Sequence, residues 1–256
     1  MAALIPTALA RRLSGARAVV AFTGAGVSAE SGVPTFRGAD GIWSKIRPEE
    51  LASMNAFMKN PSLVWEWYAH RKKIMSSIEP NAGHRALVRM EGLVPEFTVV
   101  TQNIDNLHTR AGSRSVRELH GNIERNYCMK CGKAYGSEFA AAESGDPLCP
   151  ACGGLVRPDV VWFGEMLPEE VWEASVRAAE GADVFMSIGT SAVVYPAASL
   201  PLIAKRAGAC IVEINPEPTP LTPAADEFLQ GPSGVLLPLL ADAVESARSS
   251  PRRTHD

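Results

Sequence analysis

The chain has 256 residues, 46% hydrophobic and 21% charged, an ordinary globular composition with enough apolar material for a substantial core. A net charge of −3 excludes a bulk electrostatic pull toward nucleic acid or an anionic membrane. No run reaches the roughly 18 apolar residues of a membrane span, and the first arginines follow the early apolar segment, the wrong order for a secretory signal, which predicts a cytoplasmic protein.

In chain order, AVVAF at 18–22 is the first run that reads as a buried strand. It leads directly into GAGVSAESGVPTFRGADGIW. There Gly24, Gly26 and the small Ala29 fit the G-x-G-x-x-A turn that brings backbone N–H groups against a pyrophosphate at a helix N-terminus. Gly32 and Pro34 then cut the helix, and no second strand ending in a ribose-binding acid follows, so an ordinary dehydrogenase is disfavoured. Residues 44–80 carry no strand signal and read as helices, one of them opening where Asn60 caps and Pro61 takes the first helical position. On that helix Val64, Tyr68, Arg71 and Met75 share one line, with Leu63, Trp67 and Ile74 beside it. Arg71 thus interrupts a broad apolar stripe, while Trp67 reads as packing and Lys72 as solvent-facing.

Further strands are predicted at FTVVT 97–101, DVFMSIG 183–189 and CIVEI 210–214, with a helix from Pro168 to Gly181. Strand and helix alternate, and the strands are apolar on both sides, which predicts a parallel sheet covered on two faces. Residues 126–156 read as a cysteine-rich loop with little core of its own, and SARSSPRRTHD as a frayed C-terminal tail.

Cys128 and Cys131, then Cys149 and Cys152, form two C-x-x-C knuckles at the spacing of a tetrahedral zinc site. Gly132, Gly153 and Gly154 stand where the chain must turn around the metal. Two disulfides do not suit a reducing compartment. Four thiolates close the coordination sphere, so the zinc is expected to staple the fold without entering catalysis. Cys210, inside a predicted strand, reads as an inert core residue.

The glycine-rich loop is followed by TQNIDNLH at 101–108, LHGNI at 119–123, the two knuckles, VVWFGE at 160–165, GTSAVV at 189–194 and INPE at 214–217. In that order these motifs resemble the sirtuins, NAD-dependent protein-lysine deacylases, over about residues 15–240. The resemblance implies an α/β architecture: a Rossmann-like NAD-binding domain of residues 1–43, 81–125 and 157–256, and a smaller domain of residues 44–80 and 126–156 that joins a helical insertion to the zinc module. Acyl-lysine would enter the cleft between them. For NAD it implies Gly24, Ala25, Gly26, Ser28, Glu30, Thr35, Phe36, Arg37 and Trp43 in the loop, and Gln102, Asn103, Ile104 and Asp105 around the nicotinamide and its ribose. Gly189, Thr190 and Ser191 would follow the third strand, Asn215, Pro216 and Glu217 the fourth, and Ser233 would lie near the adenine. Those positions agree with ligand binding beyond the carboxyl ends of parallel strands.

The implied reaction transfers ADP-ribose to the acyl oxygen as nicotinamide leaves; a ribose hydroxyl and a water then complete it, giving free lysine and O-acyl-ADP-ribose. Attack by a ribose hydroxyl needs a general base, the role expected of His120, with Asn103 and Asp105 orienting ribose and amide. His70, His84, His108 and His255 read as core or surface histidines. Val161, Phe163, Gly164 and Glu165 in PDVVWFGE, with Val193 in GTSAVVYP, read as open strand edges to which a substrate peptide adds as a further strand. Tyr68 and Arg71 stand where class III sirtuins, which prefer acidic acyl groups, carry such a pair. A guanidinium grips a carboxylate with two parallel N–H bonds and a phenol one turn away adds a donor, which predicts removal of succinyl, malonyl and acetyl groups. Mono-ADP-ribosyl transfer to protein is the alternative enzyme. A non-catalytic NAD-sensing zinc scaffold is the alternative outside catalysis, and it would lack His120, Asn103 or Asp105, all present. The partners expected are NAD and acyl-lysine proteins, met by a monomer.

Overall fold

The computed structural model describes residues 5–34, 51–139 and 145–249. Its strands are β1 (Ala18–Thr23), β2 (Glu96–Thr101), β3 (Val116–Glu118), β4 (Gly121–Cys128), β5 (Ala134–Tyr135), β6 (Val156–Val160), β7 (Val184–Ile188), β8 (Cys210–Asn215) and β9 (Glu227–Gln230). The helices are α1 (Thr7–Gly15), α2 (Gly26–Ala29), α3 (Met54–Lys59), α4 (Pro61–Ser76), α5 (Ala82–Glu91), α6 (Leu107–Ala111), α7 (Glu169–Glu180), α8 (Leu200–Arg206) and α9 (Ser233–Ser249).

A six-stranded sheet in the order β3-β2-β1-β7-β8-β9 is parallel at every pairing. Its four central strands are the apolar runs read from the sequence. The edge strands β3 and β9 have three and four residues, too few to carry a periodic signal. Because side chains alternate along a strand, Val19, Ala21, Val99 and Met186 pack beneath α1, α5 and α9. Val20, Phe22, Val100 and Phe185 pack on the other face against α7 and α8. Phe22 and Phe185 are fully buried with ring centroids 5.8 Å apart, and such burial is worth about 1.5–3 kcal/mol per side chain. The strand ends that carry the site therefore rest on a stiff core.

Residues 126–156 are more than a loop. They contribute to an antiparallel sheet ordered β5-β4-β6, whose core is Trp65, Cys128, Cys149 and Val156. Two of its strands, β4 and β6, run across the expected boundaries at 125/126 and 156/157. Sequences such as RNYC and VRPDV lack clean alternation, so these strands are legible only once the cysteines bring them together.

On α4, Asn60 Oδ1 accepts the Leu63 N–H at 3.1 Å and Pro61 is the first residue. The buried residues are Val64, Trp65, Tyr68, Arg71 and Met75. Leu63 and Ile74, at 49% and 38% exposure, face outward and correct the width of the expected stripe. The helix is gripped on two other sides, by the cluster around Phe57 and Trp162 and by the cysteine module under Trp65. Lys72 is not solvent-facing either. Its Nζ donates to Asn126 Oδ1 at 2.6 Å above the Trp65 ring, and burial lowers its pKa to about 8. At the C-terminus α9 continues to Ser249, so residues 246–249 of the expected tail are helical, and residues 250–256 lie outside the described residues. No helix among the described residues is long and apolar enough to cross a membrane.

Candidate active site

The strand order reverses between β1 and β7, the switch point at which such sheets bind ligands. The two chain segments leaving it nearly touch, since Gly26 N–H donates to the Gly189 carbonyl at 2.8 Å. A Cβ on Gly26 would stand 2.7 Å from Gly189 Cα, and Gly189 itself has φ +59°, so neither position tolerates a side chain.

A cavity of about 740 Å³ opens beyond the carboxyl ends of β1, β2, β7 and β8. Gly24, Ala25, Gly26 and Glu30 line it from the first loop, and Gln102, Asn103 and Ile104 from the second. Gly189, Thr190 and Ser191 follow from β7, and Asn215, Pro216 and Glu217 from β8. Thr190 knits these segments, accepting from Gln102 Nε2 at 2.9 Å through Oγ1 and from Asn215 Nδ2 at 3.1 Å through its carbonyl. Glu30 accepts the Gly234 N–H at 2.5 Å, a carboxylate at the N-terminus of α9. Ser233 also lines the cavity, and its buried Oγ has no hydrogen-bond partner among the described residues. Such an atom suits a bound polar ligand.

Ser28 and Asp105 are not among the lining residues. Ser28 Oγ donates to Asp105 Oδ2 at 2.7 Å and accepts from Asn103 Nδ2 at 3.2 Å, while Asp105 also takes the Leu107 N–H at 3.0 Å. Burial raises the Asp105 pKa, against these bonds. The pair braces Asn103 from behind. Thr35, Phe36, Arg37 and Trp43 lie outside the described residues.

His120, just after β3, lines the same cavity with Nδ1 at 2.8 Å from the Gln102 carbonyl oxygen. A carbonyl only accepts, so Nδ1 carries the proton and Nε2 keeps its lone pair. Burial lowers the His120 pKa, with the Gln102 contact opposing, which leaves the ring neutral and ready to accept a proton.

Tyr68 and Arg71 bring the α4 face to the cavity, at 2% and 6% exposure. Trp67, expected only to pack, lines it as well, and the Arg71 guanidinium carbon lies 4.8 Å from its ring centroid. Tyr68 Oη accepts from Trp162 Nε1 at 2.9 Å, and burial pushes the phenol pKa up to about 12. Val161, Phe163, Gly164 and Glu165 line the cavity, whereas Val193 does not and its neighbour Val194 does. In the chain by itself β6 ends at Val160 and residues 189–196 pair with no other strand. Left-handed Ala192 and Gly164, at φ +54° and +86°, turn both segments, and the Val161 and Phe163 N–H groups already serve the His120 and Ala52 carbonyls.

The sulfurs of Cys128, Cys131, Cys149 and Cys152 all lie within 4.8 Å of one another. Cys128 and Cys152 are 3.5 Å apart, Cys131 and Cys149 3.8 Å. Zinc–sulfur bonds of about 2.3 Å place tetrahedral sulfurs about 3.8 Å apart, so the set fits zinc.

The Sir2 family model matches residues 24–196. This chain belongs to the Sir2 family. It is 53% identical over 233 residues to the NAD-dependent protein deacylase 2 of Pyrobaculum aerophilum, covering 91% of this chain and 93% of that protein. Among solved structures, a Sir2 homolog–NAD complex aligns with a TM-score of 0.90 at 48% identity, over 97% of each chain. A Sir2–p53 peptide–NAD+ complex aligns with a TM-score of 0.78 at 36% identity, over 93% of each.

In this Sir2 protein Trp162 and Arg157, like Lys72, escape sequence reasoning. Trp162 reaches Tyr68 through space, and the guanidinium carbon of buried Arg157 lies over the Trp162 ring at 3.5 Å from its centroid. The only hint is a cation set within the short apolar run ahead of VVWFGE. His84 and His108 stand as core histidines, ring centroids 4.9 Å apart, with His108 Nε2 2.9 Å from Thr23 Oγ1.

Proposed function

We propose that this Sir2 protein is an NAD-dependent protein-lysine deacylase that removes succinyl and malonyl groups as well as acetyl. The observation that carries the acyl preference is buried Arg71 beside a protonated Tyr68, on the wall of the cavity that also holds His120. On that wall the guanidinium is placed to meet an anionic acyl tail. A methyl-ended acyl tail offers no charge, whereas a carboxylate accepts two N–H bonds from the guanidinium and a third bond from the phenol. Family membership and the deacylase relatives support the reaction class.

When bound, NAD would supply the ADP-ribosyl group that passes to the acyl oxygen, with nicotinamide as leaving group. The chain's own residues hold and steer. Both amide hydrogens of Asn103 are committed, to the Gly24 carbonyl at 3.1 Å and to Ser28 Oγ at 3.2 Å, which leaves Oδ1 to accept from a bound donor. Gly24 to Gly26 admit a close backbone approach, Ser233 Oγ offers a hydroxyl, and His120 Nε2 takes the proton of a ribose hydroxyl. A four-thiolate metal site suits a reducing compartment, and a net charge of −3 favours a protein acceptor over nucleic acid.

The test is mass spectrometry of matched acetyl-lysine and succinyl-lysine peptides, with and without NAD, for the wild-type protein and Arg71→Met. Desuccinylation should require NAD and fall about 100-fold with the mutation, far more than deacetylation, as expected when charge-assisted bonds are lost. Deacetylation alone, unmoved by the mutation, would leave the deacylase and refute the acyl preference.

A further inference from the structure

The acyl wall contains a hydrogen bond that apolar packing does not require. Trp162 is 2% exposed and aims its Nε1–H at Tyr68 Oη across 2.9 Å. A phenol has a single proton, and once the indole proton occupies one side of the oxygen, the hydroxyl proton must point elsewhere. Arg71, one turn further along α4, presents donors only. No acceptor for the hydroxyl lies within hydrogen-bond distance among the described residues. The phenol is thus a buried donor turned toward the space it shares with Arg71.

The indole is itself locked. The Arg157 guanidinium carbon lies over it at 3.5 Å from the ring centroid, and the group donates to Glu165 at 2.5 and 2.9 Å. Glu165 Oε2 also accepts the Trp162 backbone N–H at 2.8 Å, and Arg157 donates to the Val160 carbonyl at 2.8 Å. Phe57 packs on the ring from another side, 5.2 Å between centroids. Rotation of the indole would lose its contacts with Arg157 and Phe57 and its bond to Tyr68 together.

We propose that Trp162 is a positioning residue for acyl specificity, its indole N–H orienting the Tyr68 hydroxyl toward an acyl carboxylate while the Arg157–Glu165 pair holds the indole in place. This rests on the acidic-acyl reading of Tyr68 and Arg71. It deepens that reading by making selectivity depend on a side chain that donates nothing to the carboxylate itself.

The experiment measures kcat and KM on matched succinyl-lysine and acetyl-lysine peptides for wild type, Trp162→Phe, Tyr68→Phe and the double variant. Trp162→Phe keeps a ring and removes the N–H. It should raise the succinyl KM and lower the succinyl-to-acetyl ratio of kcat/KM by about tenfold, the usual worth of one hydrogen bond. In the Tyr68→Phe background the same change should leave that ratio where Tyr68→Phe alone puts it, because the two residues act as one unit. A loss of packing lowers both substrates together and does not move the ratio. Should Trp162→Phe fail to fold, benzothienylalanine at position 162, which has the shape of indole without the N–H, replaces it in the same cycle. Wild-type desuccinylation with an unchanged ratio in the variant, or additive effects in the cycle, would overturn the role of Trp162 and leave the acidic-acyl reading intact. Absence of desuccinylation in the wild type would show the failure of that reading, and this proposal with it.

Discussion

His120 is a base whose tautomer is set by one carbonyl and whose affinity for protons is reduced by burial. A depressed pKa keeps the ring neutral to lower pH, so the acid limb of kcat/KM should fall below the ordinary histidine value of 6.5. A pH–rate profile checks this, and a limb above pH 7 would contradict it. His84 and His108 act on stability instead. Burial lowers their pKa values to about 4 and about 3, so on acidification below 6.5 the unfolded chain takes up protons that the folded chain refuses. The stability they contribute is complete above that value and is lost toward pH 4 for His84 and toward pH 3 for His108, at up to about 1.4 kcal/mol per pH unit for each ring. Denaturant titrations across this range should show the loss, and His108→Gln should reduce the slope. His120, Asn103, Tyr68 and Arg71 were legible because each stands in a quotable motif or breaks a pattern. Trp162 and Lys72 were not, because their partners, Tyr68 and Asn126, are remote in sequence.

Among the elements, α4 carries the most information. One face presents Tyr68 and Arg71 to the cavity, and another sets Trp65 and Lys72 on the cysteine module. Its start is fixed by the Asn60 cap, so Asn60→Ala should cost about 1 kcal/mol in chemical denaturation. At the other end of the site, the turn from β1 into α2 depends on two backbones in contact. Gly26→Ala should weaken NAD binding at least about tenfold, measured by calorimetry, because its Cβ would collide with Gly189, and such overpacking costs about 1–3 kcal/mol. The helix pattern and the glycines were readable from local spacing. Strands β3, β4, β6 and β9 were not, since short segments with mixed polarity acquire a role only from the strand beside them.

At the scale of the molecule, the cavity lies beyond the carboxyl ends of the parallel sheet, and α4 lines it with Tyr68 and Arg71 while it seats Trp65 on the cysteine module. Purified protein should contain about one zinc per chain by elemental analysis. Stripping the metal should lower the melting temperature and raise the KM for acyl peptide more than that for NAD, because Trp65 and Lys72 lose their seat while the Gly26–Gly189 contact between the loops after β1 and β7 keeps its own. Sequence by itself determined the buried strands, the glycine turn, the four-thiolate set and the family, because these depend on local periodicity and on fixed spacing between residues. The tertiary structure decided which side chains form the cavity wall, that Ser28 and Asp105 brace it from behind, and that Trp162 holds the phenol of Tyr68. Those outcomes depend on distances between segments far apart in the chain, which are set only when the sheet and the module pack together.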